Sequence, residues 1–182
     1  MASQGHILDA ALACVMDVGL RRTTLADVAR RAGVSRMTVY RAFPDLDSLV
    51  AALLTRELTQ VLAEVEATLA DLPTARERLV RAAVEMVDRM DDHPLYRRVL
   101  DLDPELLLPL VVDRFGSTQL AALDLIAEQI RAGQKDGSIR DVEPDRAAVV
   151  VLLTAQSFVF SARLIDRDVR GQLTPLLEGY LR

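Results

Sequence analysis

Apolar residues return every third or fourth position along almost the whole chain, the spacing that gathers side chains on one face of an α-helix. Ile7, Leu8, Ala11, Leu12, Val15 and Val18 form the first such stripe, and Gly19 follows where a helix C-cap belongs. Thr24-Leu25-Ala26-Asp27 reads as a capping box with aspartate in the glutamate position. It opens a second helix that turns Leu25, Val28, Ala29 and Ala32 inward and ends at Gly33. Ser35 is placed to cap a short third helix carrying Val39 and Phe43 toward the core. Pro44-Asp45 stops that helix, and Asp45 caps a long fourth one expected to reach about Leu69.

Past a turn at Asp71-Leu72-Pro73-Thr74, helix is expected from about Thr74 to Met90. Proline then marks further starts: Pro94 ahead of Leu95–Leu100, Pro104 ahead of Glu105–Asp113, and Pro144 ahead of an apolar helix through Arg163. An amphipathic helix from about Phe115 to Lys135 closes at Asp136-Gly137, and a last helix covers about Asp168 to Leu181. No segment alternates with period two, and no internal repeat is visible. The pattern predicts an all-α fold of about nine helices. Residues 1–45 form a three-helix N-terminal domain and residues 46–182 a larger helical one, with the fourth helix as the link between them.

Composition sharpens this reading. Hydrophobic residues make up 51% of the 182 and aromatics only 4%, so the core must be aliphatic, which suits helix packed on helix. A net charge of −5 argues against nucleic acid as a partner until it is divided along the chain. Residues 1–43 carry six arginines against three aspartates, which leaves −8 on the remainder. A basic head on an acidic body points to an anionic partner for the head alone. The lone cysteine, Cys14, sits in an apolar helical stripe, reads as a core residue, and fits a reducing cytoplasm. No signal-peptide pattern opens the chain, and the apolar run Ala147–Ala155 is too short to span a bilayer.

The chemistry-bearing stretch runs from Leu25 to Phe43: two short helices joined by a turn containing Gly33. Ala29 lets the helices approach, while Val28, Val34 and Val39 fill the angle between them. What is left to face outward on the second of the pair is Ser35, Arg36, Thr38, Tyr40 and Arg41, without a carboxylate. Arginine pairs bidentately with the edge of guanine, and hydroxyls suit phosphate oxygens. Arg30 and Arg31 read as a solvated face with general attraction for phosphate.

Together, Gly19, Thr23-Thr24, Val28-Ala29, Ala32-Gly33-Val34-Ser35, Thr38-Val39-Tyr40 and Phe43-Pro44 resemble the N-terminal pattern of the tetracycline-repressor-like (TetR) regulators. The match covers about Ile7 to Leu54, and the rest agrees only in helix pattern and length. The resemblance implies an N-terminal helix-turn-helix DNA-binding domain, a C-terminal effector and dimerisation domain, and a transcriptional regulator of double-stranded DNA operators. It implies phosphate contacts from Thr24, Ser35, Thr38 and Tyr40, with Arg36, Met37 and Arg41 at the variable, base-reading positions. Leu46 stands where family members often carry lysine, and Ala42 where an aromatic or histidine is common, so two backbone contacts are not expected here. It further implies a homodimer through the last two long helices. The apolar Ala147–Ala162 and the stripe Leu173, Leu176, Leu177, Tyr180 and Leu181 are compatible with that.

A small apolar or amphipathic effector is expected in the body. Met86, Met90, Tyr96, Phe115, Gln129, Gln156, Phe158 and Phe160 are candidate lining, and core packing explains each about as well. Asp91, Asp92, Asp101, Asp103 and Glu105 read as helix-start acids rather than a metal cluster. His6 and His93 lack a ligand pattern, and His93 before Pro94 reads as a helix-start residue. No metalloprotease, CxxC, P-loop or nucleophile-elbow pattern occurs, so neither an enzyme nor a cofactor is expected. Two other classes stay open: a DNA-binding regulator with no small-molecule effector, and a helical enzyme or scaffold.

Overall fold

Each short N-terminal helix starts where a hydroxyl or carboxylate can accept an amide that the helix itself leaves unpaired. A computed structural model of the chain describes residues 3–104, 115–161, 164 and 167–182. Ser3 caps α1 (Gln4–Val18), Thr24 caps α2 (Leu25–Arg31) and Ser35 caps α3 (Arg36–Ala42). Asp45 Oδ1 accepts the Ser48 amide at 2.7 Å at the start of α4 (Leu46–Glu66). Then follow α5 (Ala75–Asp92), α6 (Pro94–Leu102), α7 (Ser117–Lys135), α8 (Pro144–Ser161), α9 (Arg167–Arg170) and α10 (Leu173–Leu181). Among the described residues there is no strand, and no helix is long and apolar enough to cross a membrane.

The contacts divide the chain into two units, with the boundary inside α4 at residues 59 and 60. One unit joins the residues up to 59 with 93–104, so that α6 belongs with the head despite its distance in sequence. Its core is Ile7, Leu8, Ala11 and Val15 of α1, Leu25, Val28 and Ala29 of α2, Val39 of α3, Leu49 and Leu53 of α4, and Leu95 and Val99 of α6. Val18, at the end of the first apolar stripe, is instead 48% exposed in the last turn of α1. Arg56 ties α4 to α1 through Asp9 at 2.7 Å, and its other nitrogens hold the buried Glu57.

The second unit is built on α5, α7 and α8, with α10 laid against them. Leu79, Val80, Ala83 and Val87 meet Ala127 and Ile130, Ala147, Ala148 and Val151, and Leu173, Leu177 and Leu181 in one apolar cluster. The turn after α7 caps α5: Asp136 Oδ2 accepts the Ala75 amide at 2.9 Å and Ser138 Oγ the Arg76 amide at 3.2 Å. Arg140 closes the end of α10, donating its amide to Leu181 O and its Nε to Tyr180 O while its guanidinium lies 5.2 Å from the Tyr180 ring centre.

Two expectations change. The last helix is not continuous from Asp168: it breaks at Gly171-Gln172 into α9 and α10. An unbroken helix would put Pro175 in its interior, where the ring clashes with the carbonyl four residues back. Restarting at Leu173 moves the proline into a first turn, where no amide is needed. The fourth helix ends at Glu66 rather than Leu69, as Thr68 and Leu69 turn back three residues to Val65 O and Glu66 O. Asp103, expected as a helix-start acid, turns its carboxylate to Leu20 N and Arg21 just past the end of α1, while the helix expected after it lies outside the described residues. The expected helix Glu105–Asp113 and the end of α8 at Arg163 lie outside the described residues.

Candidate nucleic-acid interface

The α2–α3 hairpin turns on Gly33, whose φ of +63° is a conformation that a side chain resists and glycine adopts freely. The turn lets Val34 N donate to Ala29 O at 3.0 Å and brings Val28 and Val39, both fully buried, into the angle between the helices. With Val39 inward, the rest of α3 has only one way to point. Arg36, Tyr40 and Arg41 are exposed, and Met37 is 74% exposed, a position no methionine takes for packing.

The hydroxyls differ in what they have left to offer. Ser35 Oγ accepts the Thr38 amide at 3.1 Å and lies 2.9 Å from Thr38 Oγ1. Two hydroxyls sharing one hydrogen bond use one proton between them, so one donor remains for a phosphate oxygen whichever way the bond runs. Thr24 is spent: it accepts the Asp27 amide at 3.2 Å and donates its only proton to Asp27 Oδ2 at 2.5 Å. That donated bond holds the Asp27 carboxyl below its ordinary value, against the raising effect of partial burial, so it stays ionised at neutral pH.

The arginines separate in the same way. Arg30 Nη2 pairs with Asp27 at 2.7 Å, Arg31 with Asp17 at 2.6 Å and Arg21 with Asp103 at 3.4 Å. Thus Arg30 and Arg31, expected as a solvated basic face, are largely neutralised within the chain. Among the described residues of the head, Arg22, Arg36 and Arg41 are exposed and carry no such pair. Two of these three stand on α3.

Sequence reasoning missed Asp103. The residue is 3% exposed, and its carboxylate accepts the Leu20 amide at 3.0 Å and faces Arg21, so the end of α6 grips the turn that leads into α2. Arg98 of α6 also reaches Asp17 O, at 3.4 Å. No local signal could have found a partner 83 residues away. His93 caps α6 by position and sets Nε2 3.5 Å from Glu57 Oε2.

The effector candidates fall in both units. Tyr96 is on α6 in the head unit, where burial pushes its phenol up to about 12. Met86, Met90, Phe115, Gln129, Gln156 and Phe160 belong to the other unit, with Met90 fully buried and the rest half-buried. Gln129 Oε1 is buried without a hydrogen-bond partner, and Phe158 packs on the apolar cluster.

Comparison with known proteins agrees with this geometry. The family model for bacterial regulatory proteins, tetR family, matches residues 7–53. The chain is 40% identical to the uncharacterized HTH-type transcriptional regulator Rv2250c of Mycobacterium tuberculosis over 182 residues, 97% of this chain and 93% of that one. The transcriptional regulator FadR from Bacillus subtilis, solved in complex with stearoyl-CoA, shares the fold. Its TM-score is 0.72 at 17% identity, over 99% of this chain and 100% of that one. So does the TetR-family repressor QsdR from R. erythropolis, at a TM-score of 0.72 and 16% identity, over 98% and 95% of the two chains. With the hairpin's outward α3 side chains and a relative matched over nearly its whole length, the chain belongs to the tetR family of bacterial regulatory proteins and is a helix-turn-helix transcriptional regulator.

Proposed function

We propose that the protein is a cytoplasmic repressor, not an enzyme, that holds a pseudo-palindromic operator as a homodimer and releases it when a small apolar or amphipathic ligand enters the body. The observation that carries this reading is α3, with Val39 fully buried while Arg36, Met37, Tyr40 and Arg41 stay in solvent. Residues 1–45 supply the DNA contacts. Arg36, Met37 and Arg41 read base edges in the major groove, and Ser35, Thr38 and Tyr40 hold phosphates, with Thr24 able to join only by letting go of Asp27. Residues 46–182 supply the ligand site and the dimer.

Support for the dimer comes from apolar side chains that the single chain leaves in water. Val150 and Leu153 on α8 are 43% and 48% exposed, and Leu176 on α10 is 52% exposed. For the ligand, the support is the adaptable Met86 and Met90, the aromatic Phe115 and Phe160, and the amides Gln129 and Gln156, a lining that suits an apolar molecule with few polar groups. The stearoyl-CoA in the FadR complex is amphipathic, an apolar acyl chain joined through a thioester to a polar, anionic coenzyme A end. Within the head, the Asp103–Leu20 contact gives α6 a direct hold on the turn before α2, so that a ligand which favours one setting of α6 biases the DNA-binding surface.

Selection of DNA from a random pool tests the reading. The recovered site is expected to be a pseudo-palindrome with half-sites one helical turn apart, or a multiple of it. Arg36→Ala is expected to lower affinity for that site by about tenfold or more. A pool that shows no enrichment overturns the operator. Unchanged operator affinity across a panel of apolar and acyl-thioester ligands, which direct titration shows to bind, overturns the ligand switch.

A further inference from the structure

The carboxylate of Asp27 holds two groups of the kind that hold phosphate. Oδ2 takes the Thr24 hydroxyl proton at 2.5 Å and Oδ1 takes Arg30 Nη2 at 2.7 Å. All three side chains are at the surface, with Arg30 81% exposed and Asp27 33%. The other two acids of residues 1–43 serve the fold: Asp9 joins α1 to Arg56 of α4, and Asp17 joins α1 to Arg31 of α2. Asp27 joins nothing across elements. Its partners lie three residues away on either side, and an exposed pair of that spacing adds little to stability. Thr24 still accepts the amide of residue 27 without that carboxylate, so the N-cap bond of α2 survives, although Asp27 also takes the Thr24 amide and closes the capping box.

We propose that Asp27 limits affinity: its carboxylate stands in for a DNA phosphate at Thr24 and Arg30, so the head holds duplex backbone weakly until base contacts from α3 are added. The physical ground is simple. A phosphate that approaches Thr24 or Arg30 meets a like charge in hydrogen-bond range, and must displace it or do without both groups. Sequence-independent attraction falls while base reading by Arg36 and Arg41 is untouched, so a larger share of the operator's binding free energy comes from base contacts. The proposal rests on the DNA-binding reading above.

The test uses the full chain and a fluorescent duplex of arbitrary sequence, followed by anisotropy between about 50 and 200 mM salt. Asp27→Ala and Asp27→Asn are both measured, the second keeping the shape of the side chain without its charge. Each is expected to bind the duplex about fivefold more tightly, the ratio one unit-charge contact at ~4 Å in water implies. Freed Arg30 is expected to steepen the slope of log affinity against log salt by about 0.9 per subunit. Adding Arg30→Ala to Asp27→Ala is expected to remove that extra slope. If both single variants keep the wild-type helical circular dichroism yet bind the duplex no more tightly than wild type, the proposal is overturned while DNA binding stands. If wild type and both variants all fail to bind this duplex and no site is recovered from the random pool, the DNA-binding reading falls with it.

Discussion

Ser35 performs two tasks with one oxygen: it accepts the Thr38 amide that starts α3 and shares a proton with the Thr38 hydroxyl. Ser35→Ala should therefore lower the melting stability of the head by about 1 kcal/mol, the usual worth of a cap. The same change should weaken duplex binding, as the spare hydroxyl proton is no longer held in place. Asp103 is a harsher case, because Asp103→Ala leaves the buried Leu20 amide without an acceptor, at a cost of about 1–3 kcal/mol. Denaturant unfolding measures that loss. A change under ~0.5 kcal/mol would show that the carboxylate does not hold the α1–α2 turn.

Asp136 supplies a pH signature. Its hydrogen bonds from Ser138, and then from the Ala75 amide, hold its carboxyl below the ordinary 3.8. A carboxyl depressed in the folded state contributes fully above its unfolded value and loses that contribution as pH falls through the folded one. Asp136→Asn should therefore lie closer to wild type in thermal stability below pH 3.8 than at neutrality, and a gap that stays constant across that range would reject the assignment.

At the level of elements, α7 and the turn that follows it depend on Gly133. A Cβ there would stand 2.5 Å from Ile139 Cδ1 and Cγ1, inside any real contact distance. Gly133→Ala is expected to destabilise the body by about 1–3 kcal/mol through overpacking. Adding Ile139→Ala should recover part of that loss, and a double variant that is worse than the sum would refute the contact. Gly33 is the opposite case: nothing lies within 4 Å of a Cβ there, so only its positive φ resists substitution. Gly33→Ala should cost about 1–2 kcal/mol from backbone conformation alone. Boundaries were legible in sequence wherever a cap made them, as at Thr24, Ser35, Asp45 and Thr74. They were misread where a proline sat a few residues inside an apolar stripe. Periodicity runs smoothly through Gly171 to Leu181, and only the steric demand of Pro175 cuts it.

For the whole molecule, the exposed apolar side chains on α8 and α10 give the proposed dimer a direct test. Leu153→Asp or Leu176→Asp should shift sedimentation to a single-chain species without loss of helix content, and an unchanged species would remove this surface from the dimer. DNA binding should weaken with the dimer, since two recognition helices are then no longer held at a fixed span. Each unpaired arginine that meets a phosphate adds about 0.9 to the fall of log affinity against log salt, so binding by a dimer should weaken steeply as salt rises. Arg22→Ala, away from α3, should flatten that slope by about two units across the dimer with little effect on sequence preference.

The order of helices, the hairpin and the outward side of α3 followed from the chain itself. Helical spacing, caps and turn glycines act over a few residues, and their rules are local. The grouping of α6 with the head, the grip of Asp103 on Leu20, and the sorting of arginines into paired and unpaired came only from the tertiary structure. Those depend on which distant side chain arrives within hydrogen-bond reach, and a one-dimensional pattern of apolar and charged positions carries no information about that distance.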